Sequence, residues 1–366
     1  MYADTTSQEE DRRPLAYFQA VHSAFLAAEQ RGGGSVDRFY TVAGRTIHLR
    51  FAGPNLVPHL TPPLAHLAVD ADRVADFTVC VWDSASTRTP LPEVRLTLRE
   101  QARSSAKGND TRRIRTSFQG ALGAEGGLRA VSLLDAAQRL AVHWVPSADA
   151  ISPWDRAGPL LVILYWILDI WGIQVAHAGA VGTEKGGALL TGKAGSGKST
   201  TTLACLEFGL SFAGDDVVAL STQSRPEAWS LYSSARLNPD SLELLPAMAQ
   251  AVSNPDRVHE DKALILLHDH YPGQLRTRLP IDAIIVPQVT GAPDSRLVPT
   301  SRAATFAALA PTSMFQVPDA DQRAFRTLAD FVRRVPSYGL EIGKDSSSVP
   351  HLISELLAET DAGTRE

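Results

Sequence analysis

Cysteine is nearly missing from this chain: Cys80 and Cys205 are the only two among 366 residues. Two cysteines build neither a disulfide framework nor a cysteine-rich metal site. Cys205 falls within a helical pattern and reads as a small buried apolar residue. Charge of either sign is also in short supply. The net value of −5, from 35 basic and 40 acidic residues, gives no global support for nucleic-acid or membrane-surface binding. No apolar run reaches the roughly 20 residues that a bilayer span requires. The longest runs from Leu160 to Leu168 and continues to Ile173 past Asp169 and Gly172. It reads as a buried helix, with an interfacial anchor as the alternative and no stable membrane insertion. The opening MYADTTSQEEDRRP is polar and lacks the apolar region of a secretory signal, so the cytoplasm is the expected compartment. With 44% hydrophobic and 20% charged residues the chain suits an ordinary globular enzyme, and its length suits two domains.

What is present is concentrated in one loop. Gly192-Lys193-Ala194-Gly195-Ser196-Gly197-Lys198-Ser199, followed by Thr200, matches the phosphate-binding pattern G-x-x-x-x-G-K-[ST] in full. An apolar strand pattern, Gly187 to Thr191, precedes it, and a helical one, Ser199 to Leu206, follows. The glycines let successive N–H groups turn toward an anion, and the helix offers its unpaired N-terminal amides to the same anion. Lys198 supplies a mobile cation for the β- and γ-phosphates, and the Ser199 hydroxyl can ligate Mg²⁺. The expected ligands are therefore ATP and Mg²⁺, with GTP left open as donor.

The next strand pattern, Leu210 to Gly214, ends in Asp215-Asp216, sixteen positions beyond Ser199. Where a strand ends and the chain turns, both carboxylates can approach a ligand. One can hold Mg²⁺ and the other can accept a proton from an attacking hydroxyl. Sequence alone leaves open which does which. His177 opens HAGAV, a strand-like stretch that a hairpin at 182–187 joins to the strand before the loop. That placement brings His177 within reach of the phosphates.

His177 with Ala178-Gly179-Ala180-Val181, GALLTGKAGSGKST, and Phe212-Ala213-Gly214-Asp215-Asp216-Val217-Val218 together resemble the catalytic core of HPr kinase/phosphorylase and its relatives. The resemblance covers about residues 171 to 222. It implies a fold related to phosphoenolpyruvate carboxykinase and a phosphorylated serine on a protein as product. It also implies a catalytic histidine at His177 and, at Asp215 and Asp216, a metal ligand and a proton acceptor. The first 150 residues do not resemble that enzyme's N-terminal domain, and no copy of the glycine-containing segment that follows its core is found. The chain is closer to HPr-kinase-like serine kinases without that domain, including those of lasso-peptide biosynthesis clusters. Those are taken to phosphorylate a precursor peptide near its C-terminus.

The domain division expected is an α+β accessory or substrate-docking domain over 1–150 and an α/β P-loop catalytic domain over 151–366. In the first, Leu15 to Glu29 has helical spacing, 38–43 and 46–51 flank Gly44 as a hairpin, and 77–82, 94–98, 130–134 and 140–145 are strand candidates. Arg99, Arg103, Lys107, Arg112, Arg113 and Arg115 form a basic stretch that reads as a solvated loop or as a docking strip for an acidic peptide.

In the second, strands are expected at 217–220, 228–232, 262–267 and 282–286, and helices at 302–309, 322–335 and 351–358. Arg236 and Lys262 are the cations to watch for transition-state charge stabilisation, against a reading as surface cations. His268-Asp269-His270 reads as loop polarity rather than a zinc site. Thr312, Ser313 and Met314 sit at an expected helix-to-loop junction.

The function expected is phosphoryl transfer from ATP to a Ser/Thr hydroxyl of a peptide or protein, the precursor of a lasso peptide among them. A small-molecule kinase and a nucleotide-binding regulator or NTPase are the alternatives, and homo-oligomerisation is left open.

Overall fold

Most apolar runs of the second half become strands of one sheet, because helices cover both of its faces and leave no polar side to alternate with; the run at 263–266 pairs in a separate ribbon. The computed structural model describes residues 12–71, 73–93, 113–120, 127–258, 260–316 and 322–363. It divides into two units, one of Met1–Pro62 with Leu67–Trp171, the other of Pro63–His66 with Gly172–Glu366. The division falls at Trp171, later than the expected 150/151. The apolar run at 160–168 forms a helix, Leu161–Ile170, that belongs to the first unit, where Asp169 Oδ2 accepts from Arg115 Nη2 at 2.9 Å. Its residues Ile163 to Leu168 are buried, so the run is a core helix rather than an interfacial anchor. Among the described residues no helix is long and apolar enough to cross a membrane.

In the first unit, helix α1 (Arg12–Arg31) packs Phe18, Val21, Phe25 and Ala28 against a seven-stranded sheet. Strands β1 (Ser35–Val42) and β2 (Arg45–Ala52) form the expected hairpin. Its two turn residues, Ala43 and Gly44, have φ of +49° and +77°, which matches the strand twist. The sheet continues through β3 (Ala68–Val69), β4 (Phe77–Asp83), β5 (Ile114–Gly120), β6 (Leu128–Asp135) and β7 (Leu140–Val145), in the order β3-β1-β2-β4-β7-β6-β5. It is mixed rather than wholly antiparallel, since β4 runs parallel to both β2 and β7. The strand expected at 94–98 lies outside the described residues, as do Arg99, Arg103, Lys107 and Arg112. Arg113 and Arg115 do not form part of a free basic strip, because they pair with Asp135 and Asp169.

The second unit is built on a nine-stranded mixed sheet. Its strands are β8 (Gln174–Ala176), β9 (Ala178–Gly182), β10 (Gly187–Thr191), β11 (Ser211–Gly214), β12 (Val218–Ser221), β13 (Glu227–Ser230), β16 (Arg278–Val289), β17 (Arg296–Pro299) and β18 (Ser337–Ile342). A separate ribbon pairs β14 (Ser234–Leu237) with β15 (Ala263–Leu266). One face of the sheet, with Ala178, Ala180, Leu189 and Ile284, packs on helices α4 (Arg302–Gln316) and α5 (Gln322–Arg334) through Leu309, Leu328 and Phe331. The other face, with Val181, Ala188, Leu190 and Ile285, packs on α3 (Lys198–Glu207) and α6 (Val349–Gly363) through Cys205, Ile353 and Leu357. Cys205 is fully buried, and burial pushes its thiol up to about 12, so it serves as packing. A third apolar cluster joins Leu203 and Leu206 of α3 to Ala235, Leu237, Ala263 and Ile265, which fixes the ribbon beside the helix.

Candidate active site

Strand direction decides what meets at the sheet edge. Strand β9 is antiparallel to both β10 and β11, so the start of β9 shares an edge with the ends of the other two. His177 immediately precedes β9, Gly192 follows β10, and Asp215-Asp216 follow β11. Register confirms the first pairing, since Thr191 lies opposite Ala178. Three segments separated in sequence are thereby brought to one place.

The loop over 192–197 has the shape its glycines permit. Gly192, Gly195 and Gly197 have φ of +152°, +75° and +99°. The demand is sharpest at Gly197, where a Cβ would also lie 2.8 Å from Ile342 Cδ1. Lys193, Ala194 and Gly195 are exposed while Ser196 and Lys198 are buried. The Lys198 ammonium donates to the Gly192 and Lys193 carbonyls at 2.8 and 3.2 Å, folding back over its own loop. Burial lowers its pKa, against the pull of Asp215 and Asp216. Helix α3 begins at Lys198, so its first amides face the same concavity. The helix is held close to β9: a Cβ on Gly179 would fall on the Thr202 hydroxyl, which itself donates to the Lys198 carbonyl at 2.9 Å.

The two aspartates occupy different surroundings. Asp215 is 3% exposed, and neither of its carboxylate oxygens has a hydrogen-bond partner. Burial, then the neighbouring Asp216 charge, pushes its pKa up to about 7, while Ser199 and Lys198 act in the opposite sense. The Ser199 hydroxyl is therefore close enough to favour the ionised form, although it makes no hydrogen bond of normal geometry to Asp215. Asp216 has a side chain 30% exposed and a φ of +66°, unusual for a residue with a Cβ. The Val217 N–H donates to the Asp215 carbonyl at 2.7 Å, closing a tight turn around Asp216. Burial alone would raise the Asp216 pKa, but the Arg236 guanidinium, His177 and Lys262 together hold it below the usual carboxylate value.

His177 Nδ1 lies 3.6 Å from Asp216 Oδ1, near enough for electrostatic contact and too far for a hydrogen bond. Burial lowers its pKa despite Asp216, and Lys198 adds to the lowering, so the imidazole is neutral at pH 7. Its backbone N–H donates to Ser313 Oγ at 3.0 Å. Ser313 lies inside α4, which extends past the expected end at 309 to Gln316, and it anchors the strand start rather than marking a helix-to-loop junction.

Of the two cations singled out in the sequence, Arg236 donates from Nη2 to Asp216 Oδ2 at 2.5 Å. Lys262 is exposed, yet its charge acts on both Lys198 and Asp216. Nothing in the sequence pairs Arg236 with Asp216, because the contact depends on how the ribbon is seated. The packing of Ile342 under Gly197 and of Thr202 on Gly179 is likewise invisible without the fold. His268 to His270 form a turn, and no group of three or more His, Cys, Asp or Glu among the described residues could hold a metal ion. Ser199 with Asp215 is a different kind of donor set: a hydroxyl and a carboxylate, hard oxygens that suit Mg²⁺ completed by phosphates.

No family model matches the chain, and no curated protein matches it. Among solved structures it is similar to the Hpr(Ser) kinase/phosphatase from Coxiella burnetii, at 13% identity over 53% of this chain and 99% of that one, with a TM-score of 0.30. At that level the likeness says nothing of this chain's reaction, which is read from the site's own residues.

Proposed function

We propose that this protein transfers the γ-phosphoryl group of ATP, with Mg²⁺, to a serine or threonine hydroxyl of a peptide or protein. One observation carries the reading. Thr191 Oγ1, Ser196 Oγ, both Asp215 oxygens and His177 Nδ1 are buried without hydrogen-bond partners, all at or beside the sheet edge from which the loop leads to Lys198. Buried polar atoms are seldom left unpartnered, and such a concentration fits a place shaped for a polar, charged ligand.

The loop amides and Lys198 hold the triphosphate. Ser199 and Asp215 hold Mg²⁺, which when bound neutralises phosphate charge. Asp216 is the more accessible carboxylate and stays ionised beside Arg236, so it receives the acceptor's proton. A loose phosphoryl-transfer transition state asks little of such a base, and positioning supplies most of the rate. Neutral His177 stands beside Asp216 and orients the transferring group.

The resemblance over 171 to 222 favours a peptide or protein acceptor, and a lasso-peptide precursor is the specific one to try. Incubation of such a peptide with ATP, Mg²⁺ and the enzyme, read by mass spectrometry, tests the reading. A gain of one phosphate that is lost with Asp216→Asn supports it. Nucleotide hydrolysis without phosphopeptide, or phosphorylation of small alcohols alone, replaces it with one of the other readings.

A further inference from the structure

The β14–β15 ribbon brings a second cation to the site. Ala235, Leu237, Ala263 and Ile265 point into the core beside α3. Side chains alternate along a strand, so Arg236 and Leu264, which face each other in register, lie on the opposite side of the ribbon. Arg236 reaches Asp216 from that side. Lys262 immediately precedes β15 and is exposed, whereas Ala263 after it is buried in the core and pairs with Leu237. The backbone there is pinned, since the Lys262 carbonyl accepts from Asn254 Nδ2 at 3.1 Å and the Leu264 N–H donates to Asn254 Oδ1 at 2.7 Å.

The two cations are not equivalent. Arg236 is committed to a carboxylate, whereas Lys262 is exposed and takes part in no ion pair among the described residues. The charge of Lys262 bears on both Lys198 and Asp216, one at the phosphate-binding loop and the other at the proton-accepting carboxylate. A phosphoryl group passing from donor to acceptor occupies the space between those two residues. A flexible ammonium with three donors is well suited to follow it.

We propose that Lys262 binds the phosphoryl group under transfer from the side facing away from the loop, so that the site distinguishes a nucleoside triphosphate from a diphosphate. The assignment rests on the kinase reading above and adds to it a residue outside the loop that contacts the donor's terminal phosphate. Lys198 reaches the β- and γ-phosphates from the loop; Lys262 meets only the outermost one, from the opposite side.

Equilibrium titration of the full chain with Mg²⁺ and fluorescent analogues of AMPPNP and ADP tests this, using wild type, Lys262→Ala and Lys262→Arg. Loss of one charge-assisted hydrogen bond predicts about tenfold weaker binding of the triphosphate analogue to Lys262→Ala. Diphosphate binding stays unchanged, and Lys262→Arg recovers most of the loss. Thermal midpoints stay equal, as expected for an exposed side chain. Equal weakening of both nucleotides, or no weakening of either, overturns the proposal. So does unchanged nucleotide binding with a raised KM for the peptide, which would assign Lys262 to the acceptor. If wild type binds neither nucleotide, the kinase reading fails and the proposal falls with it.

Discussion

Arg236 donates to Asp216 Oδ2 at 2.5 Å, and this one contact gives two adjacent carboxylates different surroundings. Asp216 is held ionised by a guanidinium, while Asp215, one residue earlier, is buried with no such partner. An opposite charge this close favours the ionised carboxylate. Replacing Arg236 by Met should therefore raise the Asp216 pKa. The acid limb of the pH profile of kcat/KM should move to higher pH, alongside a lower maximum. A limb that stays in place would show that Asp216 is not the group whose ionisation limits the rate.

Asp215 supports a prediction about stability. Its folded-state pKa, about 7, lies above the unfolded value of 3.8. The folded protein therefore binds that proton more tightly than the unfolded chain does. The associated stability is fully present below pH 3.8 and is lost progressively as pH rises to about 7. Asp215→Asn should raise the thermal midpoint at pH 8 by several degrees, with little gain at pH 4. Added Mg²⁺ and ATP should stabilise wild type at pH 8 and fail to stabilise the variant further. Differential scanning calorimetry at the two pH values reads all of this.

Packing under the loop gives a third prediction. Gly197 combines a φ of +99° with a position where a methyl group would lie 2.8 Å from Ile342 Cδ1 and force that side chain to shift. Gly197→Ala should cost about 1–3 kcal/mol of stability and displace the loop amides. Gly179→Ala acts from the other side, by pushing Thr202 and with it the start of α3. Both should lose nucleotide affinity. Gly209→Ala is the control: its φ of +103° also strains alanine, but no atom lies near its Cβ and it stands at the far end of α3, so binding should hold.

The loop, the acidic pair and His177 were legible because each carries its own local pattern: a glycine spacing, a strand ending in carboxylates, a hairpin that fixes strand direction. The hairpin mattered most, since it alone implied that His177 returns to the loop, and the Gly182–Gly187 register bears this out. Arg236 and Lys262 could be named as cations but not given partners. Their placement depends on the seating of a two-stranded ribbon through Ala235, Leu237, Ala263 and Ile265, and no short-range rule encodes that packing. The basic stretch from 99 to 115 reads as a loop or strip in the sequence, yet two of its arginines have fixed acidic partners. Arg113 and Arg115 lie at the start of a strand and meet Asp135 and Asp169, acids 22 and 54 positions away.

The proposed reaction requires a polyphosphate in the 192–199 loop against Lys198, with magnesium held by Ser199 and Asp215. Isothermal titration of ATP into wild type and Lys198→Ala, each with Mg²⁺ and again with chelator, tests it most directly. Saturable binding by wild type that weakens at least about tenfold on removing either the metal or the Lys198 ammonium is the predicted result. Equal affinity in all four titrations, or no heat with wild type, would contradict it.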